Sequence, residues 1–122
     1  PETNRRSVYR INVNSAKDPL LDTFDCPDPS VKTPRRSNTT TPLQALSMMN
    51  GTFTQRAAKR FAERLEREGT AVTDRVTLAY RLAYGRKPTR DEFERATKFV
   101  EGQGLKEFCW AILNSNELLF VR

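Results

Sequence analysis

The stretch that most constrains this chain is Thr41-Pro42-Leu43-Gln44. The Thr41 hydroxyl suits a helix N-cap, because it can accept a backbone N–H from the first turn. Pro42 then falls at the first helical position, where its missing donor costs nothing and its fixed φ is already helical. Gln44, three residues after the cap, reaches back to the Thr41 N–H and completes a capping box. These three signals in four residues set a boundary. Residues 1–41 are expected to form an extended arm, and residues 42–122 a helical domain.

Beyond the boundary the apolar spacing is helical throughout. Leu43, Leu46 and Met49 keep it up to the stop signal Asn50-Gly51. Thr52 is expected to cap the next helix, in which Phe53, Ala57, Phe61 and Leu65 recur at i+4, flanked by Ala58 and Ala62, until Gly69. A third helix is expected from about Thr73-Asp74 to Gly85. Its face carries Val76, Ala79, Tyr80 and Ala83, widened by Leu78 and Leu82. Thr89 and Glu92 form a second capping box, opening a helix with Phe93, Ala96, Thr97 and Val100 on one side and Gly102 as its stop. A last helix turns Leu105, Phe108, Cys109, Ile112 and Leu113 inward. The reading is a mainly α domain of about five helices, in an orthogonal or bundle-like arrangement, with an extended N-terminal arm.

Before the boundary the signals are shorter. Tyr9, Ile11 and Val13 alternate with polar residues, the pattern of a half-buried strand. Asp18-Pro19-Leu20-Leu21 reads as a capped helical turn. Two prolines in Cys26-Pro27-Asp28-Pro29 forbid regular structure after it.

The totals exclude several chemistries. With 122 residues there is room for one domain with a modest core. The sequence has no histidine, so neither a Ser-His or Cys-His nucleophile pair nor a histidine-containing zinc site can be built from it. Two cysteines alone cannot make a structural zinc site. No apolar run approaches the roughly 20 residues of a membrane helix. The chain opens on Pro1 without an initiating methionine, and we expect a segment of a larger protein. Its formal charge is +6, but 21 Lys and Arg are interleaved with 15 Asp and Glu along the whole length, as on solvated helix faces.

Three groups of residues are candidates for binding. Arg35 and Arg36 could hold an anion with help from the N-terminus of the Pro42 helix. The plainer reading pairs them with Asp25 and Asp28, pinning the arm beside Thr41. Asp22, Asp25 and Asp28 recur every three residues, unlike the alternate spacing of an EF-hand loop, and read better as caps and ion pairs than as calcium ligands. Arg56, Lys59, Arg60, Arg64 and Arg67 line one helix, but Glu63, Glu66 and Glu68 interrupt them and no aromatic platform is interleaved. No nucleic-acid binding is expected. Tyr80, Tyr84, Trp110 and Phe120 read as core aromatics rather than the lining of a ligand pocket.

Arg5-Arg6-Ser7-Val8-Tyr9, Phe24-Asp25-Cys26-Pro27-Asp28, Arg35-Arg36 and Thr40-Thr41-Pro42-Leu43-Gln44-Ala45-Leu46 stand in a distinctive order. With Tyr80-Arg81-Leu82-Ala83-Tyr84-Gly85-Arg86-Lys87-Pro88-Thr89 and Leu113-Asn114-Ser115-Asn116-Glu117, they resemble the planctomycete-specific domain of unknown function. The resemblance covers nearly the whole chain and corresponds to the C-terminal half of that domain. The family often carries Ser-Cys just before the arginine pair; here Lys32-Thr33 stands instead, so any role of that cysteine is absent. The resemblance implies a parent outside the cytoplasm, periplasmic, surface-bound or secreted, commonly with a cytochrome-c-like haem domain upstream.

The expectation for function is therefore a non-catalytic structural or interaction module of a multidomain envelope protein. No cofactor or metal is expected in this segment, haem being placed elsewhere in the parent, and the partners are upstream domains of the same polypeptide. The contrasting expectations are part of an enzyme whose catalytic residues lie upstream, and a nucleic-acid-binding helical domain. In that extracytoplasmic setting a disulfide would persist. Cys109 nevertheless lies on the apolar stripe of its helix and Cys26 between Asp and Pro in a loop, so two free thiols are expected.

Overall fold

The computed structural model describes residues 19–27, 32, 34 and 41–120, and the chain divides into two compact units, Pro1–Met48 and Met49–Arg122. The division falls within one helix. The alternation at Tyr9, Ile11 and Val13 lies outside the described residues, and among those described there is no strand.

In the first unit, α1 (Pro19–Thr23) is the expected helical turn. It ends in a Schellman motif: the Cys26 N–H donates to the Leu21 carbonyl at 3.0 Å and the Asp25 N–H to the Asp22 carbonyl at 3.2 Å. Asp25 holds the left-handed position, φ 56°, that glycine usually fills. Aspartate tolerates that conformation better than most residues. Helix α2 (Pro42–Asn50) starts where the capping box places it. The Thr41 N–H donates to Gln44 Oε1 and the Gln44 N–H to Thr41 Oγ1, both at 3.2 Å. Helix α2 buries none of its residues, and Leu43 and Leu46 are more than half exposed.

The second unit holds α3 (Thr52–Glu68), α4 (Val72–Tyr84), α5 (Arg90–Gln103), α6 (Leu105–Leu113) and the single turn α7 (Asn116–Leu119). Helix α3 lies mainly on α6, and α5 packs on both α4 and α6. The core gathers Ala58, Ala62 and Leu65 from α3, Val76 and Ala79 from α4, Ala96 and Val100 from α5, and Phe108, Cys109 and Ile112 from α6. Small residues on α3 let α6 come close, and α6 supplies the bulk that fills the space. The mainly α class and the five principal helices stand as expected.

Five local expectations need correction, the first being Phe120, which reads as a core aromatic but is 52% exposed. The cap of α3 is Gly51, with extended backbone, and Thr52 is already helical, so its hydroxyl cannot cap. The buried stripe of α3 is Thr54, Ala58, Ala62 and Leu65, so the flanking alanines rather than the i+4 march are its centre; Phe61 packs half-buried against the core and Phe53 is exposed. On α4, which begins at Val72, Leu82 is exposed rather than part of the inner face. Helix α5 runs through Gly102 and stops at Gly104, whose φ of 106° a side chain would resist.

Candidate functional site

The α4–α5 junction builds the most connected polar group of the described chain. Gly85 ends α4 in the left-handed region, φ 70°, which reverses the chain and sets Arg86 beside the end of its own helix. Thr89 then caps α5 as expected: the Thr89 N–H donates to Glu92 Oε2 at 2.7 Å and the Glu92 N–H to Thr89 Oγ1 at 3.4 Å. The capping box therefore fixes the Glu92 carboxylate in front of Arg86.

Arg86 uses all five of its N–H donors. Nη1 donates to Glu92 Oε2 at 2.8 Å and to the Lys87 carbonyl at 3.2 Å. Nη2 donates to Glu92 Oε1 at 2.7 Å and to Glu117 Oε2 at 2.8 Å, and Nε to Glu117 Oε1 at 2.7 Å. Both carboxylates are bound in the two-point fork geometry that suits guanidinium. Beneath the fork, the Arg86 guanidinium carbon stands 5.5 Å from the Tyr80 ring centre and 5.7 Å from that of Tyr84. The two rings meet edge to face at 5.2 Å, Tyr80 lies 6.5 Å from Phe108, and Tyr84 OH donates to Ser115 Oγ at 2.9 Å. Residues from α4, α5, α6 and the Ser115–Glu117 turn thus converge on one guanidinium.

The electrostatics follow from that geometry. Hydrogen bonds from Arg86, then from the Thr89 backbone, hold the Glu92 carboxyl down at about 2. Glu117 is lowered by the same guanidinium, and Arg86 is raised by its two carboxylate partners. Burial, then the Glu92 charge, pushes Tyr80 up. The net negative charge of one cation and two anions sits partly in the first turn of α5, where the helix dipole favours it.

All three charged groups are therefore ionised and mutually satisfied at neutral pH. Arg86 keeps no N–H for an external anion, and neither glutamate has a proton to give near neutrality. The arrangement can fasten helices; it is poorly suited to proton transfer.

A pH prediction follows. Glu92 titrates lower in the folded chain than its ordinary 4.5, so its stabilising contribution is complete above about pH 4.5 and is lost as pH falls through about 2. Glutamine can still serve the capping box. Glu92→Gln should accordingly cost on the order of 1 kcal/mol at pH 7, after discounting for solvent screening, and should flatten the acid limb of stability. Urea midpoints measured from pH 7 down to about 2 would show it. Parallel curves for the two proteins would mean the pair contributes nothing.

The sequence-predicted site residues fall in the first unit. Asp25 accepts Gln44 Nε2 at 3.4 Å, so the side chain that completes the Thr41 box also reaches the end of α1. The structure thus brings Asp25 and the Thr41 cap together through Gln44. Arg35, Arg36 and Asp28 lie outside the described residues, and so does the pairing expected of them. Among the described residues no cluster of three or more Asp, Glu and Cys groups could hold a metal, and no helix is long and apolar enough to cross a membrane.

The basic edge of α3 is at least partly tied up locally. Arg64 pairs with Glu68 at 2.8 Å, and Arg56 Nε donates to the Thr52 carbonyl of its own helix at 3.3 Å. Cys26 and Cys109 are both free thiols. Cys109 is fully buried, and burial, with smaller contributions from Glu66 and Glu107, pushes it up to about 12. Such a thiol packs as a small hydrophobe.

Sequence reasoning missed Arg86, Glu92 and Glu117 as one group, although each belongs to a segment it had singled out. The available signal was the capping glutamate six residues after an arginine that follows a C-terminal glycine. A family model, PSD1, protein of unknown function (DUF1553), matches residues 1–100. The chain belongs to this family. No curated protein and no solved structure matches it. The family match includes Arg86 and Glu92 and stops short of Glu117, the partner supplied by α7.

Proposed function

We propose that this segment is a non-catalytic structural or interaction module of a multidomain envelope or secreted protein. The observation that carries the reading is the closed hydrogen bonding of Arg86, whose five donors all end on groups of its own unit. A guanidinium awaiting a substrate anion keeps an edge open; this one fastens α4, α5 and α7 together. The exposed Leu43, Leu46 and Met49, at three-residue spacing on α2, suit burial against another domain of the same polypeptide. The planctomycete origin and the haem-bearing neighbour implied by the sequence resemblance belong to this proposal, with electron transfer as the parent's activity and no haem ligand in this segment.

The test is deletion of this segment from the parent polypeptide, followed by envelope fractionation, c-type haem absorbance and redox turnover per haem. The reading expects unchanged turnover per haem, with lowered abundance or altered assembly of the parent. Lost turnover with haem content intact would mean that the segment supplies catalytic groups. A parent without covalent haem in the envelope fraction would remove the electron-transfer part of the proposal.

A further inference from the structure

The single turn α7 is attached differently from the other helices of its unit. It buries no residue, and Leu119 and Phe120 at its end are exposed. An isolated turn has no stability of its own, because nucleation costs more than its few hydrogen bonds return. Apart from the half-buried Leu118, what holds α7 is polar. Glu117 grips Arg86 through two bonds, at 2.7 and 2.8 Å, and the neighbouring Ser115 hydroxyl accepts both Tyr84 OH at 2.9 Å and the Leu118 N–H at 3.4 Å. Arg86 does not depend on this grip for its own position, since Glu92 holds the opposite edge of the guanidinium with two further bonds.

We propose that α7 is a charge-held strap, which opens and closes through the Glu117–Arg86 clasp while the helices beneath it stay folded. Glu117 and Arg86 are both partly exposed, with side chains 46% and 36% accessible, so salt reaches the clasp. Surface ion pairs are screened by added salt, and regions with few buried apolar contacts open at low free energy. Opening would return two Arg86 donors to solvent and leave the Glu92 fork intact. The Tyr84–Ser115 bond is uncharged, so it makes the strap resistant to complete release by salt alone.

The test is amide hydrogen exchange on the full chain, at roughly 20 mM and roughly 1 M NaCl, chosen to span long and short screening lengths. The N–H groups of Leu118, Leu119 and Phe120, which bond to Ser115 and Asn116 carbonyls, report the strap. Those of Ala79 and Tyr80, in the middle of α4, report the body. The strap amides should exchange at least about tenfold faster than the body amides at low salt. High salt should speed the strap by roughly two- to fivefold, and Glu117→Gln should produce that gain at low salt and remove the salt response. Unchanged α4 exchange and Trp110 fluorescence would verify that the variant folds. Strap amides that exchange in step with α4, that ignore salt, or that drag α4 with them in Glu117→Gln would overturn the proposal.

Discussion

Phe108→Ala should lower the unfolding free energy of the helical unit by about 3–5 kcal/mol, the usual cost of deleting a buried aromatic side chain. Phe108 is 6% exposed on α6, among the core residues that α3, α4 and α5 also reach. Its ring faces Tyr80, which in turn meets Tyr84 edge to face, and Arg86 lies over both tyrosines. Truncation therefore leaves a cavity and removes the support below Tyr80. Domains of this size are stable by only about 5–15 kcal/mol, so the variant would be close to the limit of folding at 37 °C. Urea unfolding followed by Trp110, the sole tryptophan, gives the readout. The indole Nε1 donates to the Met49 carbonyl at 3.0 Å, so its emission reports the second unit. A loss below about 1 kcal/mol would show that the site relaxes around the missing ring.

Helix ends were the most legible part of the fold, because capping is local chemistry. Thr41 with Gln44 and Thr89 with Glu92 needed nothing beyond the sequence, and both boxes form. Gly51 and Gly104 were harder. A glycine cap carries no side-chain acceptor to recognise, and which of two nearby glycines stops a helix depends on where the next helix must begin. Gly104 serves α5 and α6 at once, which Gly102 could not do. The backbone of Asp25 also closes α1, a role separate from any pairing of its carboxylate and not read from the sequence. The sign was present in the Pro27 that follows two residues later, since proline is common just past such a cap.

The Arg86 group was illegible for a different reason. Each of its bonds to Glu117 spans 31 residues, and no periodicity links a turn after α4 to a turn after α6. Only the packing of α6 against α4 and α5 brings them together. Sequence resemblance had marked both segments without saying that they meet. Their meeting turns two unrelated-looking motifs into one structural reason for their residues: a glycine to reverse the chain, an arginine to fork, a capped glutamate on one side and a second glutamate on the other. The strongest polar constellation of the described chain is spent on holding helices in place.

Leu65→Ala should cost about 2–5 kcal/mol, whereas Phe53→Ala should stay within about 0.5 kcal/mol of the parent, although phenylalanine is the larger residue. Leu65 is fully buried and Phe53 is 46% exposed, both on α3. The contrast comes from helix geometry. Each i+4 step drifts by about 40°, so the march Phe53, Ala57, Phe61, Leu65 turns through about 120° and cannot stay on one face. Thr54, Ala58, Ala62 and Leu65 keep within about 80°, because the final i+3 step brings the stripe back. Thr54, Ala58 and Ala62 are small, so the large apolar side chains drew the stripe toward Phe53 and left the two alanines as its flank; α6 needs them small in order to approach. Urea midpoints of the two variants, read by Trp110 emission, decide the matter. Equal losses would put Phe53 in the core and return the stripe to the one that bulk alone suggests.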